Sequence, residues 1–110
     1  MPADDPEDEQ AELRAIWDEH RPATLARVAA LEHAASLAAE GKLGPAERET
    51  ARREAHALAG AVAFFGYLNA SRMAEDLERI FQERAASDPE RLRGLVTKLR
   101  GALNGLPYTL

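Results

Sequence analysis

The sequence predicts an all-α protein, an antiparallel four-helix bundle with a short additional N-terminal helix. Apolar residues recur at spacings of three and four over five segments, which is the helical period, and no segment alternates with the period of two that strands require. Proline and glycine residues stand where these segments begin and end. At 110 residues the chain has the length of one domain.

The N-terminal residues differ in composition from the rest of the chain. Residues 1–8 hold four acidic residues and two prolines. Such a segment buries too little apolar surface to offset the entropy lost on ordering. The sequence therefore predicts a disordered acidic tail over residues 1–8 and one helical bundle domain over residues 9–106.

Two helices are predicted before residue 41. The first is short, ends near His20, and has apolar residues at Leu13, Ile16 and Trp17. Pro22 then favours the first turn of a second helix, because a proline there removes no hydrogen bond. This second helix is predicted to end near Gly41.

Three further helices complete the predicted bundle. The third begins at Pro45 and ends before Gly66, the fourth covers residues 69–86, and the last covers residues 89–104. The sequence Ser87-Asp88-Pro89 favours a helix start, because a capping side chain precedes a proline.

The composition excludes several classes of function. The net charge of −5 argues against a nucleic-acid binder, and the absence of cysteine excludes disulfides, thiolate zinc sites and cysteine nucleophiles. No apolar run reaches the roughly 18 residues of a membrane span, and the acidic N-terminus is unlike a signal peptide. No long exposed apolar stripe requires a dimer. We therefore expect a cytoplasmic monomer that binds neither nucleic acid nor membrane.

Three histidines are candidates for chemistry near neutral pH. His20 and His33 lack the spacing of metal ligands, and we interpret both as structural. His56 lies about 140° from the apolar line of the predicted third helix and is expected to face solvent. Gly60 and Ala63 share its face, and these small residues would let a partner or a phosphoryl group approach the imidazole. Alternatively, Gly60 permits a helix contact inside the bundle.

A pattern without gaps extends from residue 54 to residue 81. Its positions are Ala55, His56, Leu58, Gly60, Gly66, Leu77 and Glu78. The pattern resembles the core of the histidine-containing phosphotransfer (Hpt) domain, and the predicted four long helices extend the resemblance to about residues 10–105. The chain departs from the family at Ala59, where a lysine or arginine is common.

The resemblance implies a carrier in a phosphorelay. Such domains accept a phosphoryl group on an imidazole nitrogen, usually Nε2, from a histidine kinase, a hybrid kinase or an aspartyl phosphate. They exchange it with the aspartate of a response-regulator receiver domain. His56 would then be the phosphoacceptor. The carrier would be no autonomous enzyme, with no ATP site and no metal or cofactor of its own, because the receiver supplies Mg²⁺.

The resemblance also suggests roles for residues near His56. Glu78 matches a glutamate that, in chemotaxis-kinase Hpt domains, bonds to the other imidazole nitrogen; a surface carboxylate paired with Arg79 or another neighbour is the alternative. Arg52 or Arg53 could stabilise the phosphate in place of the missing basic residue, or be ordinary surface charges. The predicted docking residues are Ala59, Gly60, Ala63 and Phe64. Phe64 could instead pack on the predicted fourth helix.

Two other functions stay open at this point. One is a degenerate Hpt-like adaptor that binds a receiver or kinase without being phosphorylated, which the missing basic residue at Ala59 favours. The other is a plain structural bundle with an incidental histidine. That second function requires Gly60 and Ala63 to be buried against another helix.

Overall fold

The computed structural model describes residues 6–83 and 88–104. It contains four helices, which are α1 (Pro6–Ala39), α2 (Pro45–Phe64), α3 (Leu68–Gln82) and α4 (Pro89–Ala102). No strand occurs in these two ranges. The prediction of an all-α bundle is therefore confirmed.

Helix α1 is continuous through Pro22, so the predicted break after His20 and the separate short N-terminal helix are wrong. Pro22 removes one backbone donor from the middle of the helix. The helix continues because Trp17 before the proline and Val28 after it are both buried in the same core. The Thr24 hydroxyl also donates a hydrogen bond of 3.0 Å to the His20 carbonyl oxygen beside the proline.

Three predicted segments extend into residues that lie outside the described ranges. Helix α1 begins at Pro6, so residues 6–8 are helical and not part of a disordered tail. The other residues of that predicted tail, 1–5, lie outside the described residues. The predicted fourth helix, 69–86, corresponds to α3, which ends at Gln82, and its last three residues also lie outside. The last two residues of the predicted domain, 105 and 106, lie outside as well.

The helices pack in chain order around a common core. Helix α1 contacts α2 and α4, and α3 contacts the same two helices, with the most extensive packing between α2 and α3. Burying each large apolar side chain stabilises the fold by about 1.5–3 kcal/mol. The largest fully buried side chains are Val28, Leu31, Leu58, Val62, Leu77, Phe81, Leu92, Val96, Leu99 and Leu103.

A tight turn between α2 and α3 fixes how these two helices face each other. Gly66 has φ +90°, a left-handed conformation that suits glycine. The amide of Gly66 donates to the Ala63 carbonyl and the amide of Tyr67 donates to the Val62 carbonyl, both at 3.0 Å. These two bonds form a Schellman motif, which ends α2 where the sequence predicts. The chain therefore reverses within three residues, and α3 returns antiparallel along α2.

Two ion pairs tie α1 to its neighbours. Arg100 of α4 donates from Nε and Nη2 to both carboxylate oxygens of Glu32, each at 2.7 Å. These hydrogen bonds lower the pKa of Glu32 below its ordinary value and raise the pKa of Arg100. Arg27 of α1 donates to Glu54 of α2 at 2.8 Å. All four side chains are partly exposed, so each pair contributes less to stability than the core does.

Candidate functional site

The His56 side chain faces solvent from the middle of α2. It is 72% exposed, whereas its neighbours on the apolar face of the helix, Ala55 and Leu58, are completely buried. The structure therefore agrees with the orientation that the helical period predicts for His56. An exposed ring on a rigid helix is accessible to the reactive group of another protein.

The carboxylate of Glu78 lies against the His56 ring from α3. Nδ1 of His56 is 3.0 Å from Oε2 and 3.1 Å from Oε1. Because an ionised carboxylate only accepts hydrogen bonds, the ring nitrogen that contacts it must carry the proton. In the neutral ring this leaves Nε2 with its lone pair free. The contact thus favours the tautomer in which Nε2 is the nucleophile.

Glu78 contacts His56 and does not pair with the adjacent Arg79. Arg79 donates to Asp76 on the same helix at 2.9 Å. The side chain of Glu78 is only 20% exposed and lies at the α2–α3 interface. The alternative pairing of Glu78 with Arg79 is therefore not the arrangement in the structure, whereas a contact with another neighbour, Arg52, is present at 3.4 Å.

Arg52 lies one helical turn before His56 and contacts two carboxylates. Its Nε and Nη2 donate to Glu49 at 2.9 and 2.7 Å, and its Nη1 lies 3.4 Å from Oε2 of Glu78. The hydrogen bonds with Glu49 raise the pKa of Arg52 and lower the pKa of Glu49. The guanidinium is thus directed towards protein carboxylates on the Glu78 side of the ring.

Arg53 is held much more loosely than Arg52. Its Nε lies 3.9 Å from Glu49, and its side chain is 68% exposed. Arg53 precedes His56 by three residues, a spacing that makes two side chains neighbours on a helix surface. Of the two arginines considered from the sequence, Arg53 is the one with a largely solvated side chain.

Ala59 does not belong to the exposed surface, so its assignment as a docking residue is wrong. The residue is only 7% exposed, because α3 packs against this side of α2. Its carbonyl oxygen accepts a hydrogen bond of 2.9 Å from the buried hydroxyl of Ser71. Ala59 forms the floor of the depression between α2 and α3 beneath His56.

Gly60 and Ala63 are exposed beside His56. A Cβ atom built on Gly60 would have no neighbour within 4 Å, so the space above this glycine is open. Gly60 therefore does not serve a helix contact within the described part of the bundle. The hypothesis of a plain structural bundle requires both Gly60 and Ala63 to be buried against another helix. Neither residue is buried, so the structure does not meet that requirement.

Phe64 is an exposed aromatic residue, with 68% of its surface accessible. Its ring stands edge-on to Phe65, at 5.1 Å between centroids and an angle of 89°. It borders a shallow groove with His20 and Ala23 of α1, so the alternative in which Phe64 packs on the predicted fourth helix is wrong. The reason is the helical angle, which places Phe64 on the α1 side of α2.

Sequence reasoning missed two residues near the site. Leu68, the first residue of α3, is 63% exposed close to the turn that follows Phe64. Glu75 lines the depression beside His56 with Glu78, three residues further along the same helix. The signals were available: Leu68 lies off the apolar line of α3, and Glu75 shares a helix face with Glu78.

The comparison with known families decides the assignment. The family model described as Hpt domain matches residues 7–106. The chain belongs to the Hpt domain family. The resemblance found from the sequence is confirmed, and no curated protein and no solved structure matches the chain significantly. Hpt domains are phosphotransfer carriers in phosphorelays and not kinases, and they interact with kinases and receiver domains.

The described part of this Hpt domain contains neither a metal site nor a membrane span. In residues 6–83 and 88–104, no group of three His, Cys, Asp or Glu side chains could hold a metal ion. Over the same ranges, none of the helices combines the length and the apolar character of a membrane span.

Proposed function

We propose that this Hpt domain accepts a phosphoryl group on Nε2 of His56 and exchanges it with the aspartate of a response-regulator receiver domain. The observation that carries the proposal is the contact of 3.0 Å between Nδ1 of this exposed histidine and Glu78. A nucleophile for phosphoryl transfer needs an accessible lone pair and a fixed orientation. The Glu78 contact provides the orientation, and the exposed ring provides the access.

The transfer step follows from the chemistry of the two side chains. The Nε2 lone pair attacks the phosphorus of the aspartyl phosphate, and the bond from phosphorus to the aspartate oxygen breaks. The electron pair of that bond returns to the receiver's carboxylate. The ring gains positive charge as the new bond forms, and the ionised carboxylate of Glu78 stabilises that charge. The reverse step returns the phosphoryl group to a receiver.

Charge on the transferred group is neutralised mainly by the partner. We propose that the carrier has no cofactor of its own and that Mg²⁺ on the receiver stabilises the phosphoryl oxygens. Arg53 is the arginine of this chain that we assign to the phosphate, because its side chain is 68% exposed and its ion pair with Glu49 spans 3.9 Å. A guanidinium at this place would partly replace the basic residue missing at Ala59.

We propose that the receiver docks on a surface defined by Gly60, Ala63, Phe64 and Leu68, called here the docking surface. All four residues are exposed, and Phe64 and Leu68 are two of the three large apolar side chains exposed among the described residues. Exposed aromatic and aliphatic side chains are typical anchors of protein interfaces. The open space at Gly60 lets the receiver approach His56 closely. We also propose that the carrier is cytoplasmic and acts as a monomer.

A second candidate function is an adaptor that binds a receiver or kinase without being phosphorylated. The specific observation in its favour is Ala59, which provides no charge at a position where Hpt domains commonly have a lysine or arginine. The two functions differ in what His56 does. The carrier loses its function without the imidazole, whereas the adaptor still binds its partner.

The experiment that separates them uses radiolabelled receiver domains phosphorylated on aspartate. Wild-type protein, His56→Gln and His33→Gln are incubated with a panel of receivers, and receiver binding is measured by calorimetry. His33 is the matched control, because it is an exposed histidine on α1. We expect acid-labile, base-stable label on the wild type and on His33→Gln, and none on His56→Gln. Binding without label on the wild type would replace the carrier with the adaptor.

A further inference from the structure

We propose that Arg52 is a positioning residue for His56 that acts through Glu78, and not a ligand of the transferred phosphoryl group. The inference rests on the proposed function and assigns Arg52 a role different from the one the sequence suggests. It requires that the Arg52 guanidinium be held in contact with the Glu78 carboxylate. It also requires that the guanidinium lie on the Nδ1 side of the His56 ring, away from the reacting Nε2.

The guanidinium of Arg52 is held at three of its atoms. Nε and Nη2 form a two-point contact with the carboxylate of Glu49, which is the strongest geometry for this pair of groups. The remaining nitrogen, Nη1, is 3.4 Å from Oε2 of Glu78. Glu49 and Arg52 are three residues apart on α2, so this anchor comes from the helix itself.

Exposure separates the positioning groups from the reactive group. Arg52 and Glu78 have 26% and 20% of their side chains exposed, whereas His56 has 72%. The pair therefore lies lower on the α2–α3 interface than the imidazole does. The two nitrogens of an imidazole point in divergent directions, so a phosphoryl group on Nε2 extends away from the Nδ1 side, where Glu78 and Arg52 lie.

The contacts of Arg52 also offset negative charge near His56. Glu75 and Glu78 line the depression beside the position that must admit a doubly charged phosphoryl group, and the carboxylate of Glu49 contacts the guanidinium of Arg52. Arg52 contacts two of these carboxylates and offsets part of their repulsion. Without Arg52, the flexible side chain of Glu78 loses the ion pair that holds one of its oxygens beneath Nδ1. We therefore expect the ring to lose part of its tautomer preference.

The test measures the tautomer of His56 in the unphosphorylated protein, so it does not depend on phosphotransfer. The ¹⁵N chemical shifts of the ring nitrogens are recorded for wild type, Arg52→Gln, Arg52→Lys and Arg53→Gln, at a pH where titration shows the ring to be neutral. We expect the wild type and Arg53→Gln to keep the proton on Nδ1. We expect Arg52→Gln to shift the population towards the form protonated on Nε2, and Arg52→Lys to shift it less. An unchanged tautomer in Arg52→Gln would overturn the proposal.

A measurement in a variant background tests whether Arg52 acts through Glu78. In a Glu78→Gln background, Arg52→Gln is expected to cause no additional change in the ring shifts, because the carboxylate it positions is gone. An additional change of equal size would contradict the proposed route. If Arg52→Gln fails to fold, as judged by circular dichroism, Arg52→Lys alone decides the question: it keeps the charge but loses the two-point geometry, and wild-type ring shifts would overturn the proposal.

Phosphotransfer rates then distinguish Arg52 from Arg53. We expect Arg52→Gln to slow transfer from a receiver about fivefold together with the tautomer change, a size consistent with a partly exposed ion pair. Arg53→Gln, if Arg53 binds the phosphate, slows transfer without any tautomer change. A wild type that accepts no label refutes the proposed function, whereas the ring shifts still decide whether Arg52 positions His56.

Discussion

Nδ1 of His56 lies 3.0 Å from the carboxylate of Glu78, although the two residues are 22 positions apart in the chain. The turn at Gly66 brings them together. His56 is eight residues before the end of α2, and Glu78 is ten residues after the start of α3. At a helical rise of about 1.5 Å per residue, both are therefore at nearly the same height above the turn. The Schellman turn and the similar distance of each residue from it are therefore enough to pair these side chains.

Filling the open space at Gly60 is expected to block phosphotransfer. Gly60→Gln places a long side chain where the receiver approaches His56, and we expect transfer to slow by about tenfold or more, since small misplacements of reacting groups are costly. Helical circular dichroism is expected to stay the same, because a Cβ there meets no neighbour. Gly94→Gln is the matched control, as Gly94 is also an exposed helical glycine with open space, but on α4. Normal transfer by folded Gly60→Gln would refute the proposal that the receiver needs the open space above Gly60 to approach His56.

Truncating the apolar side chains of the docking surface is expected to weaken receiver binding. Phe64→Ala should raise the Kd for the cognate receiver about tenfold and Leu68→Ala about fivefold, as for anchor residues in interfaces. Both side chains are mostly exposed, so the free energy of unfolding should change by less than about 0.5 kcal/mol. Ile16→Ala on α1 serves as the control. Equal Kd values for all three variants and the wild type would place the receiver elsewhere.

The ion pair between Glu32 and Arg100 predicts a pH-dependent contribution to stability. Its hydrogen bonds lower the pKa of Glu32 in the folded protein, so the pair contributes fully above the ordinary carboxyl pKa of 4.5. As the pH falls through the lowered pKa, Glu32 becomes protonated and the contribution is lost. A double-mutant cycle with Glu32→Gln and Arg100→Gln should give a coupling of up to about 1 kcal/mol at pH 7 and almost none in strong acid. A coupling that does not change with pH would contradict this assignment.

Replacing Pro22 tests whether α1 is continuous in solution. In a helix interior, proline removes a hydrogen bond and crowds the preceding turn, so Pro22→Ala should raise the free energy of unfolding by about 1–3 kcal/mol. Pro45→Ala is the control, because Pro45 occupies the first turn of α2, where proline is favourable, and no gain is expected. Urea titrations of both variants measure the difference. If a helix instead started at Pro22, as the sequence alone predicts, Pro22→Ala would leave the free energy of unfolding as unchanged as Pro45→Ala does.

The sequence was sufficient to predict the helices that carry the site. The apolar line of α2 predicts that His56 faces solvent, and Gly66 predicts the end of that helix, since both signals act within a few residues. The residues around His56 depend on longer-range packing. Arg52 could reach a phosphate, solvent or a carboxylate, and only the position of α3 shows that it contacts Glu78.

The sequence by itself determined the helical class, the exposed histidine and the small residues beside it, because the helical period reports which face of each segment is buried. The tertiary structure alone decided that α1 passes through Pro22, since burial of Trp17 and Val28 outweighs the local preference of proline. It also decided that Ala59 is covered by α3 while Phe64 stays exposed. Periodicity defines a buried face, but the neighbouring helix determines how far that face extends and which long side chains meet across it.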